Sequence, residues 1–414
     1  MTQNSVDLAN QEFYSKFPFP RPPMTFPQLE DPDFETVMLN QSIGDFRHGT
    51  IPADARIWVA GCGTNQAVYT ALKFPRAQVI GSDLSPVSLE TARRNAETLG
   101  IRNLVLRQEN LNHITYREEF DYVLNTGVIH HNENPSRPLA NIARALRPDG
   151  VLELMVYNRF HRMFNVAFHE AVRLLAPQPG HVPNYDEELA IAAAIAATEP
   201  IASSQRMAPF RRSHESHLAD ALIQPVEYGY TVQSLNALAA GCGLDLMLPC
   251  YDQFDRVADR VWTINFSTSE LNNRMKALPD VDRWEVANLL LLESSPMLWF
   301  YLRHHRDASE RYELYVNQRF LDQVFARAST RLRNHVRRSD MAYSLSPTAV
   351  PYPTEQQNTL IRDIVDGANG ELTMSELLVK NGVDTGNYKA VTDIRMRTTT
   401  SLCPYLRAMS ECRQ

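Results

Sequence analysis

Apolar positions follow several different rhythms along the chain. Between residues 56 and 156, short apolar runs alternate with segments of helical period. "RIWVAG", "AQVIGSD", "LVLRQEN", "FDYVLNTG" and "GVLELMVY" read as successive buried strands. "QAVYTALKF", "PVSLETARRNAETLG" and "RPLANIARALR" read as the helices between them. Ser85 caps the second of these, with Pro86 at its first position and Gly100 past its end. Its Leu89, Ala92, Ala96 and Leu99 repeat at helical spacing and make one apolar face. Such alternation predicts parallel crossovers and an α/β, Rossmann-like doubly wound sheet.

The rhythm breaks at 158–229. Helical pieces ("VAFHEAVRLLA", "DEELAIAAAIAA") appear there among prolines, without a clear strand. Thr231 then caps "VQSLNALAAG", and "LDLMLPCY" and "RVWTINFS" read as two more strands. The sheet domain is thus expected over 51–266, with 158–229 as an insertion or lid. Residues 267–343 read as a helical middle region, with Trp284, Trp299 and Phe300 as helix-core anchors. "SLSPTAVPYP" at 344–353 reads as a linker. In the tail to 414, "EQQNTLIRDIVDG" and "LTMSELLVKNG" give two short helices, the second with a Thr373–Glu376 capping box and Gly382 as its stop. These predict a small winged-helix-like C-terminal domain. The proline- and aromatic-rich stretch 1–50 ("FYSKFPFPRPPMTFPQLEDPDF") suits neither helix nor central strand and is expected to lie extended. It is either a tail packed on its neighbours or a flap over a ligand.

Composition narrows the possibilities. A net charge of −7 argues against a general nucleic-acid binder. No apolar run is long enough to span a bilayer. The start of the chain lacks the layout of a secretion signal. The five cysteines have no metal-like spacing, and His304 and His305 have only Asp307 beside them, so no metal site is expected. A reducing cytoplasm is the simplest home. The arginines of "RLRNHVRR" (331–338) read as a solvated helix face.

The chemistry starts at the end of the first strand, Gly61-Cys62-Gly63-Thr64. Glycines there let a backbone approach a ligand closely. Gln66 stands where a dinucleotide loop needs its third glycine, and no P-loop lysine follows. Asp83 ends the second strand, 20 residues after Gly63, where a carboxylate can accept both hydroxyls of a ribose. The ligand so far is a nucleoside without a diphosphate. Glu109 or Asn110 can meet an adenine edge, with Leu111 beside the ring. Asn125 and Gly127, ending the fourth strand, face the same crevice. The second Gly-Cys-Gly, at 241–243, ends a helix and opens a strand, so it reads as a turn.

The ordered motifs "VAGCGTNQ", "GSDLS", "RQENLN", "FDYVLNTGVIHH" and "LRPDGVLELMVY" resemble those of the class I S-adenosylmethionine-dependent methyltransferases. "FYSKFPFPRPP", "GVIHH" and "QPVEYGYTV" are similar to a bacterial subgroup of larger methyltransferases, and "DIVDGANGELTMSELL" to the tail of bacterial protein-lysine methyltransferases. The resemblance implies S-adenosylmethionine as cofactor and S-adenosylhomocysteine as product. It implies a binding set of Gly61, Cys62, Gly63, Thr64, Gln66, Asp83, Leu84, Glu109, Asn110, Leu111, Asn125 and Gly127. Gly61 and Gly63 would lie against the methionine part, Asp83 would hold the ribose and 109–111 would frame adenine. Two positions depart from the family pattern: Asn110 where an acid is frequent, and Asn65 where a glycine is frequent.

Methyl transfer from a sulfonium asks chiefly for alignment, and for a base only when the nucleophile arrives protonated. His130 and His131 are candidate bases, or structural members of the "HH" turn. Tyr14, Tyr157 and Arg159 are candidate substrate contacts; Tyr157 can equally be a strand-end core residue, and Tyr14 a packing residue. Cys62 reads as a small filler. The expected activity is methyl transfer to nitrogen or oxygen of a protein side chain or other acceptor, bound between the donor site, the insertion and the N-terminal segment. The alternatives are a small-molecule methyltransferase, or a non-catalytic S-adenosylmethionine-binding or scaffold protein. The sequence leaves a homo-oligomer open.

Overall fold

The computed structural model describes residues 5–21, 23, 25–176, 184–210, 213–306, 310–338, 340, 342–346, 350–353 and 359–409. The N-terminal part is not a continuous extended strap. It holds helix α1 (Ser5–Lys16), strand β1 (Thr25–Leu29) and helix α2 (Phe34–Ser42). The clustered prolines begin at Pro18, after α1 has ended, so they bound the helix rather than prevent it.

The alternation that follows is β2 (Arg56–Ala60), α3 (Gln66–Lys73), β3 (Gln78–Asp83), α4 (Pro86–Thr98), β4 (Leu104–Gln108), β5 (Phe120–Thr126), α5 (Ser136–Ala145) and β6 (Leu146–Val156). The Ser85 hydroxyl accepts from the Ser88 amide at the start of α4, with Pro86 at the first position, as expected. The insertion contributes α6 (Arg159–Leu175), α7 (Tyr185–Ala196) and α8 (Glu215–Leu222). Then come α9 (Val232–Ala240), with its Thr231 cap, and β7 (Leu244–Pro249).

The next strand is not "RVWTINFS". Helices α10 (Gln253–Ala258), α11 (Ser269–Ala277) and α12 (Asp280–Leu291) lead instead to β8 (Leu298–His304). Short apolar runs do not declare their state by periodicity. Burial decides here: Leu298, Phe300, Tyr301 and Leu302 are buried in β8, whereas in "RVWTINFS" only Trp262 and Thr263 are. Trp299 and Phe300 are therefore strand residues; Trp284 is a helix-core anchor. The sheet runs β4-β3-β2-β5-β6-β8-β7, with β8 antiparallel to both neighbours. The expected domain boundary at 266 thus falls within one sheet, between β7 and β8.

The remaining elements are α13 (Tyr312–Asp322), β9 (Val324–Arg327), β10 (Leu332–Arg337), β11 (Tyr343–Leu345), α14 (Thr359–Gly367), β12 (Asn369–Thr373), α15 (Met374–Lys380), α16 (Tyr388–Thr399) and β13 (Leu406–Ala408). Arg333 and Arg337 of the arginine stripe lie on strand β10, paired with β1 and β11, with Arg331 and Arg338 flanking it, not on a helix. Helices α14–α16 pack with a small sheet, β12-β9-β13, whose central strand precedes residue 344. The Thr373–Glu376 capping box is formed.

Successive residues of a strand point to opposite faces. Ile57 and Val59 enter a core with Ala67 and Ala71 of α3, and this core continues into Phe320, Phe325, Ile364 and Leu378 of the C-terminal elements. Trp58 and Ala60 enter the other core, with Phe120, Leu139, Leu152, Trp284 and Phe300. Strand order reverses between β2 and β5, and a crevice opens beyond their C-terminal ends.

Candidate active site

At that crevice lies a cavity of about 790 Å³. Its floor is the turn after β2. Gly61 and Gly63 have φ of +80° and +53°. A Cβ at Gly61 would come within 2.5 Å of Val128, and one at Gly63 within 2.7 Å of the Phe19 carbonyl oxygen. Only glycine allows this turn to sit beneath both the Val128 loop and the N-terminal segment. The amides of Gly61 and Cys62 both donate to the Ser82 carbonyl, which fixes the turn to the end of β3.

Asp83 accepts from the Gly63 amide through Oδ2 and from the Ser85 amide through Oδ1, each at 2.8 Å. Each oxygen keeps a further lone pair. Burial pushes the carboxyl's pKa up, and these amides only partly offset it. Two ribose hydroxyls would complete the set, so the residues fit the nucleoside end of the donor. Leu84, Glu109, Asn110 and Leu111 continue the lining toward the expected adenine end. Cys62, buried beside them, has its thiol pKa raised by desolvation and serves as a filler. Gln66 and Gly127 also line the cavity, and Gln66 pairs with Thr126 Oγ1 at 2.7 Å.

Four expected residues do not line it. Thr64 donates instead to the Pro20 carbonyl, holding the N-terminal segment over the loop. Asn125 is fully buried and donates to the Ala60 carbonyl at 2.8 Å, bracing β5 against β2; the next residues, Thr126 and Gly127, reach the cavity. Arg159 is exposed at the start of α6. His130 is wholly buried, its ring centroid 4.0 Å from that of Tyr157. Burial, then the adjacent His131, push its pKa well down, so it packs as a neutral ring.

The cavity is also lined by His131, Tyr14, Tyr157 and Asp220. Tyr14 donates to Asp220 Oδ1 at 3.0 Å, and Tyr157 to Oδ2 at 3.5 Å. Burial raises both phenol pKa values, so both tyrosines are donors here. His131 donates from Nδ1 to the Val226 carbonyl at 2.8 Å, and burial keeps its ring neutral. Sequence reasoning missed Asp220 and Asp7. Asp220 lies in the insertion, whose pattern carried no motif. Asp7 comes from α1, and its two oxygens accept from Asn110 at 2.8 Å and Asn112 at 3.0 Å. Asn10 of the same helix donates to the His131 carbonyl at 2.7 Å. Helix α1 therefore closes over the crevice, from Asn110 to His131. Among the described residues, no cluster of three or more His, Cys, Asp or Glu can hold a metal ion. No helix among them is long and apolar enough to cross a membrane.

Residues 55–196 match the family model described as a methyltransferase domain. An uncharacterized protein of Synechococcus sp. is 28% identical over 298 residues, 69% of each chain. A release factor glutamine methyltransferase of Neisseria gonorrhoeae is 34% identical over 96 residues, 23% of this chain and 32% of its own. Among solved structures, PKMT2 from Rickettsia typhi in complex with AdoHcy superposes with a TM-score of 0.56, at 14% identity, over 95% of this chain and 78% of its own. That likeness is one of fold.

Proposed function

We propose that this chain, whose residues 55–196 match a methyltransferase domain, is a class I S-adenosylmethionine-dependent methyltransferase that methylates a nitrogen or oxygen of a protein side chain or other acceptor. The acceptor would sit between the donor crevice, the 158–229 insertion and α1. One observation carries this reading. A single cavity is lined both by Asp83 and the glycine turn and by Tyr14, Tyr157 and Asp220. Ligand sites span roughly 300–1,000 Å³; at about 790 Å³ this one has room for a donor and the reactive end of an acceptor.

S-adenosylmethionine supplies an already activated methyl group when bound. What the chain contributes is alignment. The turn at 61–63 and Asp83 hold the donor, and α1 with Phe19 keeps water from the crevice. The aromatic and acidic lobe orients the nucleophile in line with the methyl carbon, the arrangement that lowers such a barrier most. His131 offers a neutral Nε2 at the lobe for a proton.

A small-molecule acceptor is the second reading. It is favoured by the cover that α1 and the insertion place over the crevice, which suits a compact acceptor better than a folded one. The name of the Neisseria relative, which specifies a glutamine of a release factor, favours the protein reading. Transfer of labelled methyl from S-adenosylmethionine into a cell extract, fractionated by size, tests both. Label in the protein fraction supports a protein acceptor, and label in the small-molecule fraction supports the alternative. No enzyme-dependent label in either would contradict methyl transfer.

A further inference from the structure

We propose that the acceptor group is an amine, received as its ammonium by Asp220 in a lobe shared with Tyr14, Tyr157 and His131. This rests on the methyltransferase reading above and names its acceptor class. The argument begins with the inventory of hydrogen-bonding groups. Asp220 is 6% exposed and faces the cavity. Its oxygens accept one phenol each, the second at 3.5 Å, which leaves lone pairs on both. His131 is 4% exposed and lines the same cavity. Its Nδ1 is committed to Val226, and its Nε2 has no hydrogen-bond partner among the described residues. In that tautomer Nε2 is an acceptor. The two phenol protons are already spent on Asp220. The lobe therefore offers incoming ligand a set of acceptors and few donors, which suits a group that only donates.

Charge points the same way. The nearby cation, Arg162, is held by both oxygens of Glu227 and lies over the Tyr157 ring, 4.2 Å from its centroid. Asp220 acts on Arg162 as well, so the lobe holds two carboxylates, Asp220 and Glu227, to one guanidinium. A buried carboxylate of this kind is costly without a cation. A carboxylate, phosphate or phenolate acceptor would add to the charge and meet lone pairs. An ammonium removes the charge.

The chemistry balances. The ammonium first gives one proton to Nε2 of His131 and becomes a free amine. Its lone pair forms the new N–CH3 bond as the S–CH3 electron pair returns to sulfur. The positive charge thus moves from sulfur to nitrogen, toward Asp220. A fixed carboxylate placed where charge develops favours the transition state over the ground state.

The test uses the intact chain and two donor analogues. Sinefungin carries an amine where the donor carries its methylsulfonium, and S-adenosylhomocysteine carries neither. In calorimetric titration the wild type should bind sinefungin at least tenfold more tightly than S-adenosylhomocysteine. Asp220→Asn should reduce that ratio to about one and leave S-adenosylhomocysteine affinity within twofold. An unchanged ratio in Asp220→Asn overturns the proposal. Failure of the folded wild type to bind S-adenosylhomocysteine would instead contradict the methyltransferase reading. Should the variant not fold, the wild type saturated with S-adenosylhomocysteine is melted with n-butylammonium, butyrate or butanol. The proposal expects stabilisation by the ammonium alone; an equal shift from butyrate overturns it.

Discussion

Asp83, half-buried, and Asp7, buried, are carboxylates lining one cavity, but only the first is legible in the sequence. Asp83 announces itself by spacing, at the end of a strand and a fixed distance from Gly63. Asp7 does not, because its partners Asn110 and Asn112 lie about a hundred residues away and nothing local marks the pairing. Asn110 occupies a position where an acid is frequent, and here a carboxylate reaches it from α1 instead. Asp7→Ala would leave two amides without their acceptor, a loss of about 1–3 kcal/mol. Denaturant unfolding should show a destabilisation of that order, together with weaker S-adenosylhomocysteine binding. Unaltered unfolding and binding would deny α1 this role. Polarity separated the two Gly-Cys-Gly stretches correctly: Gly243 has φ of +76° at a turn with nothing near its Cβ position, whereas Gly61 and Gly63 are pressed between loops. Of the four expected residues that do not line the cavity, Thr64, Asn125 and His130 adjoin residues that do, and Arg159 lies two residues beyond Tyr157, which does. A strand end or tight turn changes the facing of a side chain with every residue, and sequence spacing does not resolve that.

At the scale of elements, the capped helices and the parallel strands were readable, because caps and buried runs are local signals. The N-terminal region was not. Its prolines suggested an extended strap, but α1 precedes them and is held by tertiary contacts. Phe13 is fully buried, edge-on to Tyr14, Phe17 and Tyr185, the last of these from the insertion. Helix α1 and the insertion thus share one small core over the crevice. Phe13→Ala should cost roughly 3–5 kcal/mol of that docking. Trypsin should then cut after Lys16 much faster than in the wild type, and S-adenosylhomocysteine should slow the cutting. Equal rates in both proteins would mean that α1 is not held by this contact. Strand β8 was also missed, for a different reason. "LWFYLRH" and "RVWTINFS" are both short apolar runs, and the choice between them is made by which one the sheet buries on both faces.

Across the whole molecule, the doubly wound sheet follows from the alternation, but the unity of its core with the C-terminal elements does not. The break at 344–353 suggested a separate domain, yet Ile364 and Leu378 are buried in the same cluster as Val59 and Ala71. Buried histidines extend this dependence on packing to pH. His169 of α6 donates to the Ala221 carbonyl at 3.0 Å, and burial lowers its pKa to about 4. Glu227 acts to raise it, while Arg162 and Arg173 act to lower it. Because the folded-state pKa is below the unfolded value, the unfolded chain takes up the proton first. Stability is therefore lost as pH falls from about 6.5 to about 4. The contribution is on the order of 3 kcal/mol. His169→Gln, which cannot take up the proton, should lose less stability than the wild type over that range in melts at stepped pH. Parallel curves would refute the assignment.

The central claim is that S-adenosylmethionine binds at the crevice between β2 and β5 with its ribose on Asp83. Calorimetric titration of the intact chain with S-adenosylhomocysteine tests this most directly, using wild type and Asp83→Ala side by side. A hydrogen bond to a charged group contributes about 1.5–3 kcal/mol, so the account predicts one site per chain and a loss of affinity of roughly 10- to 100-fold in the variant. Absence of binding by the folded wild type, or equal affinity in Asp83→Ala, would contradict it.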